Sequence, residues 1–181
     1  MIHRRDLLQS GGATLAAAGA AALFNPRQAR AAGAPLHVLS ASEATSIEML
    51  SDALVPGARE AGVAHYVDHE LASTSPRLLL RFAQLPGPMA PHYHRALAAF
   101  DASMTAQKLG TFSALSPDAQ HGVIEALRTG KFTPWDTQAV PPALFYAMMR
   151  NDGVDVVYGS AEGFKHLDIP YMPHIMPRTT W

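Results

Sequence analysis

Histidine is the residue type best able to do chemistry in this chain, and nine are present. His65 and His69 stand four apart where Val63, Tyr66, Val67 and Leu71 recur at helical spacing. Both imidazoles therefore share one helix face at a separation suited to a divalent cation, with Asp68 and Glu70 beside them. No glutamate follows His65 directly, so the metalloprotease pattern is absent, and two surface histidines without a third ligand are the plainer reading. His92 and His94 flank Tyr93, and two residues apart on a helix they point in different directions. Met148, Met149, Met172 and Met176 carry the soft sulfur of an axial haem ligand, yet their helical spacing among aromatics reads as core packing or an adaptable contact surface. Asp152 and Asp155 could pair as acid and base; capping and plain solvation are the commoner uses of such residues.

Other chemistries lack their parts. The 181 residues contain no cysteine, which excludes disulfides, thiolate-held clusters, covalent haem and cysteine nucleophiles. No glycine-rich loop joins a strand to a helix, so no FAD, NAD or ATP site is visible and no cofactor is expected in this chain. The Gly-x-Ser-x-Gly elbow of hydrolases is missing too. A formal net charge of −1 without a basic block provides no footprint for nucleic acid.

The elements that must position these residues are helices. Ser40 and Glu43 form a capping box ahead of Ala44, Ile47, Leu50 and Leu54, and Pro56-Gly57 stops the run, which predicts a helix over 41–55. The stretch around His65 and His69 follows Gly62. Ser75-Pro76 then opens a short helix through Leu78, Leu79 and Phe82. Tyr93, Leu97, Phe100 and Met104 make the longest apolar stripe, with Gly110 as its C-cap, and predict the central helix. Ser116-Pro117 and Pro141-Pro142 open two more helices, and Val154 to Tyr158 either extends the last one or forms a short strand. From Gly159 to Trp181 the helical period is lost, and the chain reads as an extended, proline-rich tail. Its apolar side chains need either the domain or another protein to cover them. The expected fold is all-α: a small irregular bundle of about six helices with a long C-terminal tail.

Residues 1–31 read as an export signal. Arg4 and Arg5 precede a weakly hydrophobic run from Gly11 to Phe24, too short to span a bilayer as a helix. Arg4-Arg5-Asp6-Leu7-Leu8 resembles the twin-arginine address for proteins exported folded. Ala29-Arg30-Ala31 offers a small-x-small processing site, which places the mature start near Ala32 and the helical domain over 32–181. An N-terminal helix packed on the domain is the alternative, disfavoured because a run of alanines has little to pack with.

The segment Asn151-Asp152-Gly153-Val154-Asp155-Val156-Val157-Tyr158-Gly159 with Gly163-Phe164 and Ile169-Pro170-Tyr171 resembles the C-terminal motif of the gluconate 2-dehydrogenase subunit 3 family. Leu50 to Ala58, Ala61-Gly62-Val63 and Tyr66-Val67-Asp68 resemble its first helices. Phe164 stands where many members place tryptophan, and no second glycine follows the Tyr-Gly pair. The resemblance implies a noncatalytic periplasmic subunit beside a large FAD-bearing sugar or alcohol dehydrogenase, often with a cytochrome c, that carries the export signal for its partner. The residues expected to meet that partner are Tyr158, Phe164, Tyr171, Met172, His174, Ile175 and Trp181. A free-standing periplasmic helical domain, binding metal or hydrolysing through His65 and His69, is the competing reading.

Overall fold

The structure, a computed structural model, describes residues 24–168. Among these residues all regular structure is helical: α1 Pro26–Ala31, α2 Ala41–Leu54, α3 Ala58–Ala61, α4 Val63–Ala72, α5 Ala90–Ala106, α6 Pro117–Arg128, α7 Pro142–Tyr158 and α8 Ala161–His166. Two 3-10 turns, Leu79–Phe82 and Phe112–Ala114, complete the set. The all-α expectation holds; the eight helices exceed the expected six because α1, α3 and α8 are short. None of the described helices is long and apolar enough to cross a membrane.

Helix α2 starts where the capping box places it: the Ser40 hydroxyl accepts from the Glu43 N–H, and Glu43 Oε2 accepts from the Ser40 N–H at 2.8 Å. From the last turn of α2, Asp52 Oδ1 accepts from the N–H groups of Gly57 and Arg59, both at 3.0 Å, and so shapes the turn into α3. Gly62 joins α3 to α4 at φ +86°, in the left-handed region that an L side chain rarely enters.

The helix expected at the centre, α5, contributes Tyr93, Leu97, Phe100 and Met104 to the core, all buried. The hub, however, is α7, which touches α2, α3, α4, α6, α8 and the first 3-10 turn. Its face Phe145, Met148, Met149, Gly153 and Val156 is buried. Phe145 meets Phe100 at 5.7 Å between ring centroids and Trp135 at 5.6 Å, while Phe132 closes the cluster on Phe100 at 5.8 Å. Such contacts add specificity to the area that the rings bury.

Three expectations need correction. The segment opened by Ser75-Pro76 is a 3-10 turn over Leu79–Phe82, with Leu78 extended and buried before it. Helix α5 ends at Ala106, and Lys108, at φ +57°, takes the left-handed position expected of Gly110. The tail read as extended from Gly159 begins instead with α8, capped by the Ser160 hydroxyl, which accepts from the Gly163 N–H at 3.0 Å. Val154 to Tyr158 has no strand character and continues α7.

Candidate functional site

The described polar chemistry gathers where α4 and α5 meet α7. Asp152 lies on the inward face of α7 and is fully buried; its Oδ2 accepts from the Tyr93 hydroxyl at 2.9 Å, and its Oδ1 has no partner among the described residues. Burial pushes its carboxyl up to about 8, against the downward pull of the Tyr93 hydrogen bond. The same burial, with the carboxylate alongside, holds the Tyr93 phenol well above its ordinary range. The expectation that Asp152 caps or is solvated is therefore wrong. It sits mid-helix in the buried core and ties α5 to α7.

One turn on, Asp155 is half-buried and accepts from Asn151 Nδ2 at 3.0 Å. Burial raises its pKa, while a hydrogen bond from Tyr66 on α4 works against that rise. Tyr66 in turn is held far above its usual range by burial and by the nearby charges of Asp155, Glu70 and Asp152. Glu70, 2% exposed, accepts from the Arg77 backbone N–H at 2.6 Å and from Arg77 Nη2 at 2.9 Å. Buried carboxylates persist only when paired in this way.

Tyr66, Glu70, Arg77 and Asp155 line one side of a cavity of about 510 Å³, whose other wall is Phe24 to Arg27. These polar groups are largely committed to one another, and Asp152 is sealed from solvent. Their evident work is holding α4, α5 and α7 in register.

The histidines go separate ways. His65 Nε2 lies 3.1 Å from the Ala34 carbonyl oxygen, whereas the His69 ring stacks on Phe24 at 4.0 Å. The shared helix face is spent on the N-terminal segment, and no group of three His, Asp or Glu able to hold a metal occurs among the described residues. His92 Nε2 lies 2.9 Å from the Pro86 carbonyl, and His94 Nδ1 lies 2.6 Å from Glu43 Oε1, so the pair diverges as its spacing requires. Burial would raise Glu43, but the Ser40 N–H and His94 hold it below its ordinary value. Met148 and Met149 are core residues; Met172 and Met176 lie outside the described residues.

Two expected partner contacts are described. Tyr158 is half-buried against the core, and Phe164 is half-buried on α8. Arg4, Arg5, Tyr171, Met172, His174, Ile175 and Trp181 lie outside the described residues. A Cβ on Gly163 would collide with the Val157 carbonyl oxygen, so the glycine lets α8 fold back on the end of α7.

Sequence reasoning missed the Tyr93–Asp152 pair because Tyr93 counted as one apolar member of a stripe. The signal was present: Asp152 falls four residues after Met148 and four before Val156, on the face that α7 buries. It also missed Asp68, 3% exposed, whose carboxylate accepts from three successive N–H groups, His37 at 2.9 Å and Val38 and Leu39 at 2.8 Å. That bond set spans some thirty residues and leaves no local trace in the sequence.

No curated protein and no solved structure matches the chain. A family model described as gluconate 2-dehydrogenase subunit 3 matches residues 41–177, from the start of α2 to beyond α8. That match covers more than half of the chain and takes in both the Leu50–Ala58 turn and the Gly163 close approach. The chain belongs to the gluconate 2-dehydrogenase subunit 3 family.

Proposed function

We propose that this chain is the noncatalytic small subunit of a periplasmic FAD-dependent sugar or alcohol dehydrogenase complex. It stabilises the flavin-bearing large subunit and carries it, already folded, through the twin-arginine route. The observation that carries the reading is the family match over residues 41–177, a family of subunits of an oxidoreductase complex. The Arg4-Arg5 signal and the lack of any dinucleotide fingerprint support it, since FAD then falls to the partner. A cytochrome c subunit is the further partner proposed for the complex. Binding only the folded form of the large subunit would stabilise that form by mass action.

Replacing Arg4 and Arg5 together by lysine is expected to leave this chain and the large subunit in the cytoplasm, read as loss of periplasmic dehydrogenase activity. Normal periplasmic activity in the double variant would end the carrier reading.

The partner surface is proposed to run from Tyr158 and Phe164 along Tyr171, Met172, His174, Ile175 and Trp181. Aromatic and methionine side chains are enriched in interface cores, and a single buried anchor is worth about 2 kcal/mol or more. Deleting residues 170–181 should reduce co-purification of the large subunit tenfold or more, with the helical circular dichroism retained. If the deletion unfolds the isolated domain, the tail is its own core cover and the interface lies elsewhere.

A further inference from the structure

The Ala29-Arg30-Ala31 processing site falls inside a folded element. Helix α1 is capped at both ends: Asn25 accepts from the Gln28 N–H at 3.1 Å with Pro26 in the first turn, and the chain leaves through Gly33 with the Ala34 N–H donating to the Ala29 carbonyl at 2.9 Å. Its half-buried side, Pro26, Ala29 and Arg30, packs on α3 and α4.

Four independent contacts tie this segment down. Phe24 stacks on His69, Arg30 Nε bonds Glu48 Oε1 at 3.0 Å, and the Ala34 carbonyl meets His65 Nε2. The fourth is the Pro26 carbonyl, which lies so close to Gly62 that a Cβ there would collide with it. The domain is thus shaped to receive the segment. Residues 24–27 also form one wall of the polar cavity, and removing them would lay Tyr66, Glu70 and Asp155 open.

We infer that residues 24–34 belong to the mature folded domain, and that the exported protein is cut before Phe24 or keeps its leader, rather than being cut after Ala31. A peptidase takes its substrate as an extended strand. Reaching the Ala31–Ala32 bond therefore requires α1 to undock and unwind, and a chain that folds before export presents it docked. This inference rests on the export reading above. It differs from the simple placement of the mature start near Ala32, because the same residues that look like a leader's end act as part of the domain.

The test is the intact mass and N-terminal sequence of the full chain recovered from the periplasm of an exporting host, expressed with its large subunit. A start at residue 24 or earlier is expected; a start at residue 25 or later overturns the inference. Recovery of the chain solely in the cytoplasm would refute the export reading instead. Hydrogen exchange on that full-length protein then decides the present inference separately. Amides of residues 29–34 exchanging at least tenfold slower than in the denatured chain uphold it, and exchange at the denatured rate overturns it.

Discussion

Replacing Asp68 by alanine is expected to lower the unfolding free energy by about 3 kcal/mol or more, a fall of roughly 10 °C in melting temperature. The carboxylate holds the backbone of residues 37–39 by accepting from three N–H groups, and Leu39 among them is buried. Alanine would leave the buried Leu39 N–H without a partner and the other two donors to solvent, and each hydrogen bond to a charged acceptor is worth about 1.5–3 kcal/mol. The loop also delivers Ser40 to the start of α2, so its loss loosens the entry to that helix. Asp68→Asn keeps an acceptor of the same shape and should recover part of the stability. Urea unfolding of the full chain, followed by circular dichroism, measures both; an Asp68→Ala variant within about 0.5 kcal/mol of the parent would refute this role.

Local signals in the sequence located most helices, because capping and apolar period are properties of neighbouring residues. Ser40 with Glu43 placed the start of α2, and Pro56-Gly57 placed its end; Ser116-Pro117 placed the start of α6 equally well. The errors arose where particular hydrogen bonds, rather than residue type, decide the turn. Lys108 takes the left-handed turn after α5 because the Leu109 and Lys108 N–H groups find the carbonyls of Met104 and Thr105, which ends the helix before Gly110 is reached. The stretch after Ser75-Pro76 stays extended through Leu78 because Glu70 on α4 captures the Arg77 N–H. The segment 24–34 contains Ala29-Arg30-Ala31, whose small-x-small pattern reads as a processing site. Its helix caps are legible in Asn25-Pro26 and Gly33, yet its seat on Gly62, Glu48 and His65 is a tertiary fact.

The candidate site was legible by residue and not by partner. His65 and His69 share a face as their spacing required, but spacing does not say what covers the face, and here the chain's own N-terminal segment does so. Asp152 and Asp155 were singled out as a pair three apart, and the structure separates them by environment. One is sealed against Tyr93 and the other opens on the cavity beside Tyr66. Periodicity gives the face of a helix on which a carboxylate falls; which hydroxyl meets it depends on how two helices cross.

That sealed carboxylate makes the protein's stability depend on pH in a direction opposite to the usual one. Burial raises the Asp152 pKa in the folded chain to about 8, while the unfolded chain titrates near the ordinary value of 3.8. Below pH 4 both states hold the proton, and the folded chain pays nothing for ionisation. Between about 4 and 8 the unfolded chain releases its proton and the folded chain retains it, so the unfolding free energy falls as pH rises, by at most about 1.4 kcal/mol per pH unit. Above 8 both are ionised and the loss levels off. Asp155, also raised by burial, adds a smaller effect of the same sign, whereas Glu43, held low, acts only toward acid pH. Asp152→Asn mimics the protonated carboxyl: its amide oxygen still accepts from the Tyr93 hydroxyl, and nothing at that position ionises. Measured by urea unfolding at about pH 5, 6.5 and 8, the parent should lose stability relative to Asp152→Asn at each step. Subtracting the variant removes the background of histidines common to both. The parent therefore falls progressively behind the variant from pH 5 to pH 8, and a difference that stays constant across the three pH values would show that Asp152 is ionised in the folded chain throughout.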